Sequence, residues 1–345
     1  MKKKSLSVKR KKHDLILKHL NDKDILKVFK EFNKTIDIKR KYAVAISGGP
    51  DSLALAYFSK CTSIIYNTKI KYYLVDHKLR KESTKEAKKV LQTLKKLKIN
   101  CKILTWKGKK PKSNIQSIAR NKRYTLLTNE CKKFNISFLL LGHHLDDLYE
   151  NFLLRILRGS GLKGLASMDK TSDNNFNNIK IIRPLMDIKK SDLKKISKKV
   201  FKFFVEDPSN SNENFKRIRI RKLINTLELE GLDKNKLKLT IKNLKNANDA
   251  VNFYTKKNID ENSVFFKEKN KFFLSKTFFT QPNEIIFRSL GEIIKIIGKK
   301  YYLPRGKSIS SIVSDIKSGK FKKTTLGGCV IQKTSETVIV FSERS

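Results

Sequence analysis

The stretch Tyr42-Ala-Val-Ala-Ile-Ser-Gly-Gly-Pro-Asp-Ser-Leu-Ala-Leu-Ala56 constrains this chain more than any other. Tyr42 to Ile46 are small or apolar and predict a buried strand. Ser47-Gly48-Gly49-Pro50-Asp51-Ser52 then forces a sharp turn, and Leu53, Leu55, Ala56 and Phe58 open a helix. A strand, a glycine-rich turn and a helix N-terminus form an anion seat: backbone N–H groups face the ligand, and the helix dipole adds partial positive charge. Gly48 and Gly49 carry no side chain, so the backbone can approach a phosphate closely. Ser47 and Ser52 can donate hydroxyl hydrogen bonds. Asp51, an acid in an anion site, makes sense if it helps hold Mg2+ or a substrate group. Gly-Gly-Pro alone would read as a tight turn with Ser52 capping the helix. The full hexapeptide behind a strand points to phosphate. It is not a Walker loop, since no Gly-Lys-Ser/Thr follows.

Charge narrows the partner. In 345 residues, 78 Lys and Arg face 32 Asp and Glu, a formal net charge of +46. Any single lysine reads as solvated surface, but the sum favours a polyanion, nucleic acid first. Cys61, Cys101, Cys131 and Cys329 form no CxxC pair, which argues against a zinc finger or a paired redox motif and suits a reducing cytosol. No apolar run is long enough to span a bilayer. Met1 to Lys12 is basic and lacks the apolar core of a signal peptide. A cytoplasmic protein without a membrane partner is expected.

Apolar strands and amphipathic helices alternate after the loop. Strands are predicted over 69–75, 101–106 and 137–141, and helices over 82–97 and 115–133. The second strand ends in Val75-Asp76-His77-Lys78-Leu79-Arg80, the fourth in Gly142-His143-His144. This pattern predicts an α/β fold with a doubly wound, mainly parallel sheet covered on both faces. Ligands in such sheets sit at the C-terminal strand ends, where the Ser47 loop, Asp76 and His143 all fall. The polar, Asn-rich residues 169–178 predict a loop. Helices are predicted over 189–200, 234–258, 285–297 and 308–318, short strands over 263–266 and 272–275, and a terminal hairpin from 324–331 and 337–341. The expected organisation is a basic N-terminal extension (1–40), a nucleotide-binding catalytic domain (41–225), a helical region for RNA (226–300) and a small α/β region (301–345).

His143-His-Leu-Asp146-Asp147-Leu-Tyr-Glu150 concentrates acids in the first turns of a helix starting near Leu145. Asp146 and Glu150 fall one turn apart, and Asp147 lies three residues before Glu150. One acid would serve as a cap; three acids and two histidines exceed capping. Two chemistries stay open: a metal centre from His143, Asp146 and Glu150, or a site for ATP-bound Mg2+ and an amine. Arg217, Arg219 and Arg221 alternate in a chain that otherwise favours lysine. Arginine suits bidentate contact with phosphate or carboxylate, and a basic helix surface is the plain alternative.

Ser47 to Ser52 resembles the SGGxDS loop of the PP-loop ATP pyrophosphatases. In order along the chain follow Val75-Asp76-His77-x-Leu79-Arg80, Ala119-Arg120-x-x-Arg123-Tyr124, His143-His-x-Asp146-Asp147-x-x-Glu150, Arg158-Gly-Ser-Gly161-Leu-x-Gly164-Leu, Arg183-Pro-Leu and Glu206-Asp-Pro-Ser-Asn210. Together, from Tyr42 to Ile224, they closely resemble the tRNA(Ile)-lysidine synthetases. The resemblance implies binding of ATP with Mg2+ by Ser47, Gly48, Gly49, Pro50, Asp51, Ser52, Asp76, His77 and His143, with Asp51 toward the metal. It implies catalytic roles for Asp51, Arg120, Asp146, Asp147 and Glu150. It implies RNA contacts from Arg80, Arg158, Arg217, Arg219 and Arg221.

The reaction it implies is a two-step ligation on the wobble cytidine of the isoleucine tRNA with a CAU anticodon. The C2 carbonyl oxygen attacks the α phosphate of ATP and releases pyrophosphate. The ε-amine of free L-lysine then attacks C2, and AMP leaves. The product, lysidine, switches codon reading from AUG to AUA. Free lysine is almost fully protonated at neutral pH, with a pKa of about 10.4, so a carboxylate must hold the ammonium or take its proton. Asp146, Asp147 and Glu150 are the candidates. Two other readings are a cytidine thiolase, opposed by the isolated cysteines, and a non-catalytic basic RNA-binding protein, opposed by an intact loop and acid cluster. A homodimer is compatible with the sequence.

Overall fold

The computed structural model describes residues 15–79, 82–108, 111, 113–174, 179–206, 216–300 and 303–343. The basic stretch Met1 to Lys12, Arg80 and Asp207 to Asn210 lie outside the described residues.

Strand β1 (Tyr42–Ile46) is apolar on both faces because it sits inside a six-stranded sheet. It pairs in parallel with β2 (Ile70–Asp76) on one side and β4 (Phe138–Leu140) on the other. Beyond β2 lies β3 (Cys101–Thr105), also parallel. Beyond β4 lie β6 (Ile179–Ile182), parallel, and β5 (Thr171–Asn174), antiparallel to β6. The doubly wound, mainly parallel sheet predicted from the alternation is therefore present. One expectation needs correcting. Residues 169–178 are not all loop, since Thr171 to Asn174 pair with β6. Their polar composition fits an edge strand, whose outer side has no partner strand among the described residues.

Alternate residues of β1 feed two cores, one on each face of the sheet. Tyr42, Val44 and Ile46 join a cluster with Leu53, Phe58 and Leu94, while Ala43 joins Tyr73, Leu127 and Leu139. Helix α1 (Lys23–Asn33) buries the stripe Ile25, Val28, Phe29 and Phe32. It is capped by Asp22, whose Oδ1 accepts the N–H groups of Asp24 and Ile25 at 2.9 and 3.1 Å, a device that contributes about 1 kcal/mol. Helix α2 (Pro50–Tyr66) follows the loop, with Leu53 through Phe58 at 0% exposure. A helix apolar all round must be buried all round. Helices α3 (Ser83–Lys96), α4 (Ile115–Lys133) and α5 (Leu145–Ile156) follow β2, β3 and β4. After the single turn α6 (Leu162–Leu165), α7 (Lys190–Phe201) covers α2 with Leu193, Ile196 and Val200. The buried Ser197 hydroxyl donates to the Pro50 carbonyl at 2.5 Å, tying α7 to the first turn of α2. Helix α8 (Lys216–Leu229) buries Ile218, Ile220 and Ile224.

Packing divides the chain between Lys238 and Leu239. Helix α9 (Lys234–Asn262) begins in the first unit and ends in the second. The second unit contains an antiparallel sheet in the order β7 (Ser263–Phe266), β8 (Lys271–Leu274), β11 (Val338–Ser342), β10 (Cys329–Lys333), β9 (Lys323–Leu326). The expected hairpin is thus part of a five-stranded sheet that also takes in the two short strands before it. Helices α10 (Asn283–Ile297) and α11 (Gly306–Lys317) supply Ile286, Leu290, Ile293, Ile309 and Val313 to its core. Among the described residues, no helix is long and apolar enough to cross a membrane.

Candidate active site

The chain visits β1, β2 and β3 on one side and returns to β4 on the other, so the crevice falls at the carboxyl ends of β1 and β4. A cavity of about 450 Å³ opens there, lined by Ser47, Asp51, Ser52, Asp76, His77 and His143. Gly48 has φ of +89°, and a Cβ there would lie 2.7 Å from Val90 Cγ2 and 3.1 Å from Val205 Cγ2. Its carbonyl accepts the Val205 N–H at 2.9 Å, so the segment after α7 clamps the loop. A Cβ on Gly142 would lie 3.1 Å from the Asp51 backbone, which explains a glycine at the end of β4. The Ser52 hydroxyl oxygen accepts from the Ser47 and Gly48 amides, each at 3.1 Å, and donates to the Gly49 carbonyl at 2.9 Å. The amides expected to face an anion are thereby gathered on one oxygen at the start of α2. Pro50 takes the first position of that helix, where a missing N–H costs nothing.

His144 joins the acids. It caps α5: its Nδ1 accepts the Asp147 N–H at 3.4 Å, and its own N–H donates to Asp147 Oδ2 at 3.1 Å. With Nδ1 accepting, a ring proton sits on Nε2. That nitrogen lies 3.6 Å from Asp51 Oδ2 and 3.5 Å from Asp147 Oδ2. His144 therefore stands between two carboxylates 96 positions apart. The signal for it was a capping box, a polar residue before the helix with an acid three residues on. Burial raises the Asp51 pKa against the opposing pull of His144 and Lys190. Its Oδ1 is buried without a hydrogen-bond partner. Burial also acts to raise the Asp147 pKa, but His144 and His143 outweigh it and hold the carboxyl below its usual range.

Of the three acids of α5, Asp146 and Asp147 both approach His144, Asp146 Oδ2 lying 3.7 Å from its Nδ1, while Glu150 is drawn to Arg221. Asp146 Oδ2 accepts the Lys190 N–H at 3.0 Å, and its Oδ1 lies 4.0 Å from Lys234 Nζ. Glu150 is buried and takes Arg221 Nε at 2.5 Å. The metal centre from His143, Asp146 and Glu150 considered above is not formed. Among the described residues, no group of three or more His, Cys, Asp or Glu is placed to hold a metal ion. Asp146 and Glu150 are each held by a different partner, Asp146 by the Lys190 N–H and Glu150 by Arg221. His143 lines the cavity with a buried, unpartnered Nδ1, and burial lowers its pKa to about 3. It is neutral at physiological pH.

The arginines separate into three environments. Arg120, Arg123 and Arg217 line the cavity. Arg120 and Arg123 lie over the Tyr124 ring at 5.0 and 5.7 Å. Burial lowers the Arg123 pKa, and the charges of Arg120 and Arg217 add to this. Arg221 turns instead to Glu150. Arg158 and Arg219 line a separate groove of about 290 Å³ with Leu154, Leu157 and Leu223. Asp76 is a cavity residue whose carboxylate is already occupied, by the Lys78 N–H at 3.0 Å, Ser83 Oγ at 2.9 Å and Thr84 Oγ1 at 2.7 Å. It orders the loop after β2 and carries His77, which meets Trp106 edge-on at 6.2 Å. No cysteine lines the cavity, and burial pushes the thiols of Cys61, Cys101 and Cys131 up to about 12.

A central parallel strand, an SGGPDS turn and a buried helix at the switch point define a PP-loop nucleotide-binding domain. The PP-loop domain family matches residues 19–227. A tRNA(Ile)-lysidine synthase of Orientia tsutsugamushi (strain Boryong) is 34% identical over 317 residues, 88% of this chain and 70% of that protein. One from Wolbachia pipientis wMel is 35% identical over 319 residues, 91% of this chain and 73% of the relative. The chain belongs to the tRNA(Ile)-lysidine synthase family, and it is an enzyme of the PP-loop class. Among solved structures, a U34-tRNA thiolase from Methanococcus maripaludis shares the fold, with a TM-score of 0.54 at 17% identity over 66% of this chain and 78% of that one.

Proposed function

We propose that this enzyme ligates lysine to C2 of the wobble cytidine in the CAU-anticodon isoleucine tRNA, using ATP and passing through an adenylated cytidine. One observation carries the reading: a single cavity holds the anion loop and Asp51, and His144 links Asp51 to Asp147. An activated carbonyl and an incoming amine need those two chemistries side by side.

The Ser47 and Gly48 amides, released from Ser52, face the phosphates with the N-terminus of α2 behind them. Arg120, Arg123 and Arg217 offset phosphate charge on the opposite wall. Their mutual repulsion makes the cavity costly without an anion, so ATP gains from filling it. His143, neutral and unpartnered, can orient the adenylate through a hydrogen bond. The donor set also fits Mg2+: Asp51 Oδ1 is a buried carboxylate oxygen with no partner, and Mg2+ is held by one or two carboxylates together with substrate phosphates. Bound there, the ion would neutralise charge on the phosphates.

Asp51 and Asp147 form an acid wall in which Asp51 serves the phosphate side and Asp147 the lysine ammonium, with His144 fixing the orientation of both. Glu150 holds Arg221 and positions it. A carboxylate of that wall takes the ammonium proton, the freed amine attacks C2, and AMP departs with the C2 oxygen. Adenylation makes that oxygen a leaving group, which an oxide is not. The cysteines lie outside the cavity with thiols held protonated, which counts against a thiolase reading.

The test is an incorporation assay with purified protein, Mg·ATP and radiolabelled lysine. ATP-dependent label on the isoleucine tRNA and none on methionine tRNA is expected. Label on neither tRNA, with AMP and pyrophosphate still released, would replace lysine by another second substrate.

A further inference from the structure

Strand register in the second unit sorts side chains onto two faces of its sheet. Phe272, Leu274, Ile331, Val338 and Val340 point toward α10 and α11 and are buried. The opposite face is also apolar. There Val264 pairs with Phe273, Phe273 with Ile339, and Lys271 with both Phe266 and Phe341. Val264 is 58% exposed and Phe266 49%. The Phe266 and Phe273 rings meet at 5.0 Å and 69°. Lys271 Nζ stands 5.0 Å over the Phe341 ring. The outward strand positions include no Asp or Glu; their only ionisable side chains are Lys271 and Lys323. The turn between β7 and β8 adds Lys267 and Lys269 around Glu268.

An apolar sheet face of this kind, ending in an edge strand, is costly in water and marks an interaction site. Its chemistry selects the occupant. Flat rings with interleaved cations and no acids on the strands match a ligand with π faces and a polyanionic backbone. Sheets that present aromatics to bases work the same way. A second copy of this chain would bring lysines against lysines.

We propose that this face is a stacking platform for unpaired nucleotides of the RNA substrate. Phe266, Phe273 and Phe341 take the base faces, and Lys271 and Lys323 take phosphates. The inference rests on the reading of the substrate as a tRNA. It is tested by binding alone, without ATP or lysine, so failure of the ligase reading and failure of the platform give different results.

The experiment measures binding of the full-length protein to a short, unstructured, pyrimidine-rich RNA and to an RNA duplex of equal length. Phe266→Ala and Phe341→Ala are each expected to weaken single-strand binding about tenfold and to leave duplex binding unchanged. Phe266→Trp is expected to retain affinity, with fluorescence quenched by the single strand. Unchanged single-strand affinity in both alanine variants overturns the proposal, as does an equal loss on both RNAs. If the alanine variants instead change the oligomeric state and leave RNA affinity unchanged, the face buries a second copy and the proposal fails. Thermal melts of each variant separate lost binding from lost folding, and Phe266→Trp keeps the test informative if the alanine variants unfold.

Discussion

Glu150 and Arg221 lie 71 positions apart and meet at 2.5 Å, with Glu150 the more deeply buried of the two. Arg221 also feels Asp147 and Asp51, so it counterbalances the acid wall beside the cavity. Removing it strands a buried carboxylate. Arg221→Ala is expected to cost about 2–4 kcal/mol, and Glu150→Gln less. Urea melts of both single variants and the double variant check this through the coupling energy. An additive double variant would mean that the pair does not hold the fold.

His144 caps α5 and spans Asp51 and Asp147. His144→Asn keeps a capping oxygen and loses the bridge. Its stability is expected to fall by less than about 1 kcal/mol, while lysine incorporation falls by roughly 100-fold. Parallel melting and single-turnover assays separate the two. Equal activity with an intact fold would leave His144 as a cap only.

Gly48→Ala places a Cβ against Val90 at a backbone φ of +89°. We expect a loss of about 1–3 kcal/mol and of measurable ATP binding, since the loop cannot keep its shape. Calorimetry with a non-hydrolysable ATP analogue reads the binding. Adding Val90→Ala is expected to recover part of the stability. It would not recover the strained dihedral.

Arg217 and Arg219 are neighbours in the alternating arginines but face different places. Arg217→Ala is expected to raise the KM for ATP about tenfold, through one lost charge-assisted contact. Arg219→Ala is expected to leave it unchanged and to weaken tRNA binding, more so at low salt, with a shallower salt dependence than the parent protein. Steady-state kinetics with each substrate varied in turn check both outcomes.

His143 gives a pH signature. Burial lowers its pKa from 6.5 to about 3, with Arg183, Arg120 and Arg123 adding to the shift and Asp147 opposing it. Between those values the unfolded chain binds a proton that the folded protein does not. Its contribution to stability is therefore complete above pH 6.5 and is lost as pH falls toward 3. Urea midpoints are expected to drop between pH 7.5 and 5, and His143→Asn is expected to flatten that slope.

What the sequence determined by itself was local. Apolar runs and their periods gave β1, α4, the start of α5 and the mainly parallel character of the sheet. Glycines and a proline fixed the turn at residues 47–52, because only certain backbones make it. Thr171 to Asn174 escaped this reading, since a polar edge strand has no apolar period to betray it. Only the tertiary structure decided which partner each charge found. Asp146 met the Lys190 backbone N–H at 3.0 Å, Glu150 met Arg221, and Asp76 was filled by Ser83, Thr84 and the Lys78 N–H, leaving Asp51 with an open oxygen. Spacing along a helix says which residues share a face. Which groups satisfy a buried charge depends on segments that come from elsewhere in the chain, and folding alone brings those together.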